Sequence, residues 1–249
     1  NKTCRSCFGF TRTLISALDI ARAAHYAQKD WPSALRRVDA ILEVERALER
    51  PAEDIGATRM NRANMLGHLS RFGEAKAEME ACLSLFRYRP DLRAKVLSSL
   101  ADLFEKQGDI AQAITQERRA LALVERLPDP EDRAISHNNL AEYLEGSGNP
   151  SALAEFPRHQ LAALLYRIVA RLGQGLQTSL YNYAIRFRRA HAAGTVLAVP
   201  RATDLLADPA FAPLEQWLCQ CQVEVAELQA AADRFLDQAR QADVAPPEP

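Results

Sequence analysis

The chain has 249 residues, of which 48% are hydrophobic and 25% are charged, the balance of an ordinary folded protein. With 31 basic and 32 acidic residues the formal net charge is −1, so no overall field attracts a nucleic acid or a membrane surface. No uncharged apolar run approaches the roughly 20 residues that cross a bilayer. The composition therefore points away from nucleic-acid-binding and membrane-spanning proteins.

Five cysteines, an odd number without the spacing of a disulfide framework, indicate a reducing compartment, and we expect a cytoplasmic location. Cys4 and Cys7 have the spacing of a metal knuckle, but one such pair supplies only two ligands. Cys219 and Cys221 lie near the other end of the sequence. We interpret all four as ordinary thiols and expect no metal and no cofactor. Because the chain starts at Asn1 and not at Met, we also expect it to be part of a longer protein.

Helical apolar spacing, interrupted by short turns, begins in the first quarter of the chain. The segment His25–Leu42 (HYAQKDWPSALRRVDAIL) places a turn at Lys29–Trp31 and a small residue, Ala34, shortly after it. Residues 61–85 repeat this arrangement, with Ser70 at the turn. Each segment predicts two antiparallel helices joined by a short loop.

The third copy of the pattern, Leu100–Leu123, is the clearest. Gly108 can adopt a left-handed backbone and end one helix, and Asp109 can cap the next. Ala101 and Ala113 fall near the turn on the two facing helices, where small side chains let the backbones approach closely. A fourth copy follows at residues 134–149, and the copies recur about every 40 residues, which is typical of a stacked repeat array.

Beyond the fourth copy the register weakens. Pro150 and Pro157 are expected to disturb its second helix. Residues 176–194 predict a further amphipathic helix, and residues 213–240 predict one or two helices that cover the end of the array. The predicted division is an N-terminal tail at 1–10, four hairpins at 11–172, a degenerate fifth repeat with a helical cap at 173–241, and a disordered tail at 242–249.

The pattern resembles the tetratricopeptide repeat (TPR) over roughly residues 15–170. The long period, the linker PDPED at Pro128–Asp132 and the NNLA at Asn138–Ala141 are most similar to TPRs of the kinesin-light-chain type, which also occur in large bacterial signalling proteins. With the C-terminal helices, the resemblance implies an all-α, right-handed superhelix of TPR-like antiparallel helix hairpins that ends in a helical cap.

The resemblance also implies a binding surface, because the first helix of each TPR hairpin lines a concave groove. The residues expected to point into this groove are Tyr26, Met60, Asn64, His68, Lys95, Asp102, Lys106, Asn138 and Glu142. Amides, charges of both signs and an apolar contact suit a protein or peptide better than a polyanion. Met60, Ser99 and Ile135 occupy positions where chaperone-binding TPRs would need basic or amide side chains, which argues against a chaperone-tail site. The alternative is that these polar residues are only the solvated face of the array.

We therefore expect a non-enzymatic scaffold or sensor region of a larger cytoplasmic, bacterial protein, binding a protein or peptide through the groove. The alternative is a regulatory domain that binds a small ligand or nucleotide inside the superhelix.

The basic and aromatic segment Tyr181–Arg189 could contact a nucleic acid, but one helix would divide its aromatic residues from its solvated arginines, so nucleic acid is not expected. The five histidines share no ligand spacing, and we interpret them as solvated or half-buried.

Overall fold

The computed structural model describes the backbone of residues 5–242 and the side chains of residues 13–242. Throughout this part of the chain the regular structure is helical, with twelve α-helices and a 3-10 helix at Pro209–Phe211. The α-helices are α1 (Arg5–Ala27), α2 (Trp31–Ala47), α3 (Ala52–His68), α4 (Phe72–Leu85), α5 (Pro90–Lys106), α6 (Ile110–Val124), α7 (Pro130–Gly146), α8 (Pro150–Val169), α9 (Gly173–Ala192), α10 (Ala202–Leu206), α11 (Ala212–Gln220) and α12 (Val225–Gln241). The prediction of an all-α fold is confirmed.

The chain divides into two compact units, which we call unit 1 (Asn1–Gln116) and unit 2 (Glu117–Pro249). In unit 1, α1 packs on α2 and α3 packs on α4, while α2 also contacts α3 and α4 contacts α5. In unit 2, α7 and α8 form the most extensive helix pair, and α9 packs on α8 and α12. Consecutive helices thus pair as the TPR-like hairpins predicted from the sequence.

The turns inside the hairpins share one backbone conformation. The residue that ends the first helix has a positive φ, which is 57° at Lys29, 58° at Ser70, 80° at Gly108 and 64° at Gly148. At the third turn, the N–H of Gly108 donates to the carbonyl of Glu105 at 2.8 Å, which satisfies one of the last free carbonyls of α5. The predicted left-handed turn at Gly108 is therefore confirmed.

In most hairpins a short polar side chain caps the N-terminus of the second helix. Oxygens of Asp30, Asp109 and Asn149 accept hydrogen bonds from backbone N–H groups of the helix that follows, at 3.2, 3.0 and 2.9 Å. Each bond satisfies one of the free donors at a helix N-terminus. Arg71 occupies this position before α4 and makes no side-chain cap. Caps and left-handed turns together explain why each hairpin bends where it does.

The core of unit 1 is built on small residues at the helix crossings. Ala63, Ala75, Ala101 and Ala113 are each fully buried, as the packing pattern predicted. A close approach occurs at Gly56 of α3, where an added Cβ would lie 2.3 Å from the ring of Phe86. A methyl group at this position would displace the ring.

The core of unit 2 surrounds α8, whose residues 161–166 are all buried. The expected disturbance of this helix by proline is wrong, because α8 runs unbroken for 20 residues. Pro150 lies in the first turn, where its missing N–H has no carbonyl to bond, and the helix continues past Pro157. Buried apolar residues of the later helices, such as Phe211, Leu214 and Leu236, pack into the same core.

The helices from α10 to α12 pack on α8 and α9, as a helical cap requires. Of the predicted terminal tails, residues 5–10 belong to α1, and residues 1–4 and 243–249 lie outside the described residues. The domain boundaries drawn from the sequence stay predictions.

Candidate functional site

The C-terminal ends of α1, α3 and α5 bring together side chains from three hairpins of unit 1. The rings of Trp31 and His68 stack face to face, with centroids 3.9 Å apart and an interplanar angle of 6°. Tyr26, with 43% of its surface exposed, packs edge-on against Trp31 at 5.1 Å and against His68 at 6.0 Å. Asp102 and Lys106 form an ion pair of 2.6 Å whose charges both act on His68. We call these five residues the aromatic strip.

His68 is held in its neutral form within the strip. Its pKa lies below the ordinary value of 6.5, first because burial disfavours the charged ring and then because the positive charge of Lys106 repels it. The negative charge of Asp102 acts in the opposite direction. A neutral imidazole stacked on Trp31 gives the strip a flat, rigid centre at physiological pH.

Three other predicted binding residues of unit 1 lie on α3 and α5, each the first helix of its hairpin. Met60 and Asn64 precede His68 by two turns and one turn of α3, so the spacing places them on one stripe, and both are half-buried. Lys95 is exposed on α5, about two turns before Asp102. Their role as partner contacts stays a prediction.

Unit 2 holds the last two predicted binding residues, both on α7. Glu142 is exposed. Asn138 is half-buried, and its side-chain oxygen accepts a hydrogen bond from the amide of Asn182 at 3.2 Å. Asn138 thus helps to hold α9 against α7, a structural role that its sequence position did not reveal.

The interior of unit 2 contains a row of four ionisable side chains. The two Nδ1 atoms of His137 and His159 are 2.8 Å apart, and only 1% and 8% of these residues are exposed. Nε2 of His159 lies 3.2 Å from Glu155, and Nε2 of His137 lies 3.9 Å from Glu125. The interpretation of these two histidines as solvated or half-buried is wrong, because the α7–α8 contact encloses both.

The hydrogen bonds of this row assign its protons. Glu155 has a lowered pKa, chiefly from its bond to His159, so it is ionised and accepts from Nε2–H of that ring. In the tautomer of His159 that has its proton on Nε2, Nδ1 of this ring accepts from Nδ1–H of His137, and Nε2 of His137 then faces Glu125 without a proton. Burial, reinforced by His159 and Arg133, holds the pKa of His137 well below 6.5. His137 is therefore uncharged, and one proton lies in the bond between the two rings.

Two more polar pairs are buried in unit 2. The hydroxyl of Ser136 donates to Glu117 at 2.5 Å, with both residues at most 2% exposed. Arg167 donates to the hydroxyl of Ser179 at 2.7 Å and lies 3.8 Å from Glu131. These contacts join consecutive helices, and each depends on how two helices meet, so no pattern within one helix reveals them.

Each unit also contains a pocket. A pocket of about 300 Å³ in unit 1 lies among α1, α2 and α3. A pocket of about 440 Å³ in unit 2 is lined by Glu125, Arg126, Arg133 and Trp217, among others, with the Trp217 ring 5.0 Å from that of Tyr166. Both volumes fall in the range of small-molecule sites.

The basic and aromatic segment of α9 divides between core and solvent, as expected. Tyr183 is buried and stacks near Phe187 at 6.0 Å. Arg188 and Arg189 are exposed as expected, but the expectation of a solvated Arg186 is wrong, because this side chain is largely buried in an ion pair with Glu145 at 2.9 Å. The segment therefore presents no continuous basic and aromatic face.

The described side chains contain no cluster of three or more His, Cys, Asp or Glu residues placed to hold a metal ion. Cys219 and Cys221 are exposed free thiols at the end of α11, and Cys82 is a buried one. The side chains of Cys4 and Cys7 lie outside the described residues. Among the described helices, none combines the length and the apolar character that a membrane span requires.

Comparisons with known proteins agree with this geometry. Residues 54–126 match the family model described as "Tetratricopeptide repeat". The crystal structure of BtubC (BKLC) from P. vanneervenii aligns with a TM-score of 0.59 and 15% identity, covering 96% of this chain and 86% of that chain, which shows a common fold. A comparison with curated proteins found no significant match. The predicted resemblance to the TPR family is confirmed.

Proposed function

We propose that this chain is a protein- or peptide-binding scaffold whose partner contacts the first helices of its hairpins. TPR repeats are generally protein-interaction scaffolds. The aromatic strip of unit 1 is the main support, because Tyr26, His68, Asp102 and Lys106 were each selected from the sequence as partner contacts and lie next to one another. Repeat proteins bind partners through extended surfaces of this kind, to which each successive repeat contributes a few side chains.

The chemistry of the strip suits a folded or extended polypeptide. Aromatic side chains are enriched at the centres of protein interfaces, and a ring held by stacking loses little freedom when a partner binds. Asp102 neutralises Lys106 at 2.6 Å, so the strip has no net positive charge to offer a polyanion. Met60, Asn64 and Lys95 extend the proposed surface in unit 1.

Asn138 and Glu142 form a separate part of the proposed surface in unit 2. We further propose that the scaffold has no catalytic activity of its own and serves as the sensor or docking region of a larger cytoplasmic, bacterial protein. The similarity of the repeats to the kinesin-light-chain type supports this extension.

The test compares two exposed tyrosines of unit 1. The partner is purified from the source cells on the wild-type chain, and its affinity is then measured by calorimetry for Tyr26→Ala and for Tyr88→Ala. Tyr88 is 81% exposed in the loop before α5 and serves as the control. We expect a loss of about 1–3 kcal/mol for Tyr26→Ala, in the range of interface hot spots, and no loss for Tyr88→Ala. Equal affinities in folded variants would reject the aromatic strip as the partner site.

A second candidate function is regulation by a small ligand, and the 440 Å³ pocket of unit 2 favours it. Trp217 offers a planar ring, and Arg126 is exposed beside it to meet an anionic group. Arg133 already has hydrogen-bond partners, since it donates to the carbonyl of Val124 at the end of α6 and to that of Leu127 in the loop that follows. A rise in melting temperature with millimolar ATP that disappears in Arg126→Ala would support this candidate, and an unchanged melting temperature would reject it.

A further inference from the structure

The pocket of unit 1 combines an aliphatic wall with one buried carboxylate. Ile15, Val38 and Ile41 supply aliphatic surface, and Glu45, Thr58 and Asn61 supply polar groups. This site is independent of the aromatic strip, because no residue of the strip lines it.

Glu45 is the unusual member of this lining. Only 5% of the residue is exposed, and its Oε1 accepts a hydrogen bond from the hydroxyl of Thr58 at 3.0 Å. The second carboxylate oxygen, Oε2, is buried and has no hydrogen-bond partner among the described residues. A buried oxygen that accepts no hydrogen bond lowers the stability of the folded state. The pocket therefore has an unfilled acceptor that a bound donor could satisfy.

The other charges around the pocket are already paired. Asp19 and Arg22 form an ion pair of 2.7 Å, and Arg50 and Asp54 form another of 2.7 Å. Each pair is neutral, and among the described side chains no cation forms an ion pair with Glu45, on which the charge of Arg50 acts without a direct contact. The pocket therefore has one uncompensated negative charge whenever Glu45 is ionised.

We propose that this pocket binds a primary alkylammonium group, with the ammonium at Glu45 and its methylene chain along Ile15, Val38 and Ile41. An ammonium group has three donors, and the pocket offers three kinds of acceptor in the Glu45 carboxylate, the Asn61 amide oxygen and the Thr58 hydroxyl. A guanidinium group fits less well, because its planar fork uses both oxygens of a carboxylate and Thr58 already holds one of them.

Two sources can present this chemistry, the lysine side chain of a protein and a free alkyl diamine. The volume of about 300 Å³ lies at the small end of ligand pockets, which suits a single unbranched chain. The wild-type chain is titrated by calorimetry with Nα-acetyl-lysine methylamide, with cadaverine and with Nα-acetyl-norleucine methylamide. The norleucine compound has a comparable aliphatic chain and no ammonium group.

We expect millimolar binding of one or both ammonium compounds and none of the norleucine compound. Binding of both ammonium compounds assigns the site to free amines as well, whereas binding of the lysine compound alone assigns it to a protein lysine. Absence of binding by both, or equal binding of the norleucine compound, would overturn the assignment.

Glu45→Gln is the decisive variant, because it keeps the shape and the acceptor for Thr58 while it removes the charge. We expect ammonium binding to weaken at least about tenfold, since a charge-assisted hydrogen bond becomes a neutral one. Glu43→Gln, an exposed carboxylate on the same helix, is the matched control and keeps wild-type affinity. Ala57→Leu fills the pocket from its exposed side without changing Glu45 and also abolishes binding. Unchanged affinity in Glu45→Gln would refute the site.

Discussion

Units 1 and 2 differ in where they keep their polar side chains. In unit 1, Arg62 joins Asp39 at 2.7 Å and Glu78 at 2.9 Å, and all three side chains remain partly exposed. Unit 2 has exposed ion pairs too, but several of its polar pairs lie inside the helix packing, with His137 against His159 as the clearest case, whereas unit 1 buries the pair of Thr58 and Glu45. The two units thus have the same type of helix hairpin but differ in how many of their polar pairs are buried.

The difference has an energetic consequence. Exposed ion pairs contribute about 0–1 kcal/mol each, so unit 1 depends mainly on the volumes of its buried side chains. A buried polar pair contributes little net stability, but loss of one partner leaves the other unsatisfied at a cost of about 1–3 kcal/mol. The buried His137 therefore makes the stability of unit 2 sensitive to protonation, as the buried Glu45 does in unit 1.

The largest effect is expected from a cavity in the apolar core of unit 1. Leu100→Ala should lower the free energy of unfolding by about 2–5 kcal/mol, because Leu100 is almost fully buried and a truncation leaves an unfilled space. Urea unfolding measures the change. Leu153→Ala is the control, since this leucine is 41% exposed and should lose far less. Similar losses in both variants would contradict the described packing of α5.

A smaller effect tests the close approach of α3 and Phe86. Gly56→Ala should destabilise the chain by about 1–3 kcal/mol, because the new methyl group would meet the Phe86 ring at 2.3 Å. Gly73→Ala is the matched control, since an added Cβ there meets nothing within 4 Å. Thermal melts measure the stability of both variants. A stabilised Gly56→Ala would show that Phe86 does not pack on α3.

The pH dependence of stability should reveal the polar interior of unit 2. His137 stays neutral in the folded state while its unfolded form titrates near pH 6.5, so the unfolded state takes up a proton that the folded state does not. Stability should therefore fall as the pH drops below about 6.5, by up to about 1.4 kcal/mol per pH unit for one proton.

Urea unfolding at a series of pH values between neutrality and pH 5 measures this slope. Glu45 and Glu125 have pKa values raised by burial and act in the opposite direction at the acidic end, so the informative quantity is a difference between variants. His137→Leu should flatten the slope, whereas His191→Gln, at an exposed histidine, should leave it unchanged. Equal slopes for wild type and His137→Leu would contradict a buried, neutral His137.

The smallest effects are expected at the hairpin turns. Gly108→Ala should cost about 1 kcal/mol, because a Cβ at φ 80° is strained even though the space around it is open. Ser70→Gly should change stability by less than about 1 kcal/mol, since relief of strain at φ 58° is offset by greater freedom of the unfolded chain. Denaturant midpoints measure both, and a stabilising Gly108→Ala would contradict the left-handed turn.

Local features of the fold were predictable because they depend on residues a few positions apart. The turn at Gly108, the cap at Asp109 and the buried Ala113 all follow from helix geometry within one hairpin. The His137–His159 pair depends on how two helices meet, yet part of its signal was present. His137 falls in the buried stripe formed with Ala134, Ala141 and Leu144, and this spacing marks it as a core position.

The candidate surface was only partly predictable. Register within the repeats selected Tyr26 and His68, which lie together, but it did not select Trp31, which reaches the same place from the start of a second helix. Register also could not show that Asn138 bonds to Asn182, because that contact forms between α7 and a helix outside the clear repeats. The buried Glu45 follows a helical apolar stripe, and only the position of Thr58 explains how it is tolerated.

The two tryptophans of the chain are divided evenly, with Trp31 in unit 1 and Trp217 in unit 2. Each indole lies against an aromatic neighbour of its own unit, Trp31 on His68 and Trp217 on Tyr166. Intrinsic fluorescence can therefore follow each unit separately in the intact chain. Trp217→Phe leaves an emission that reports the packing of α2 on α3, and Trp31→Phe leaves one that reports the packing of α11 on α8.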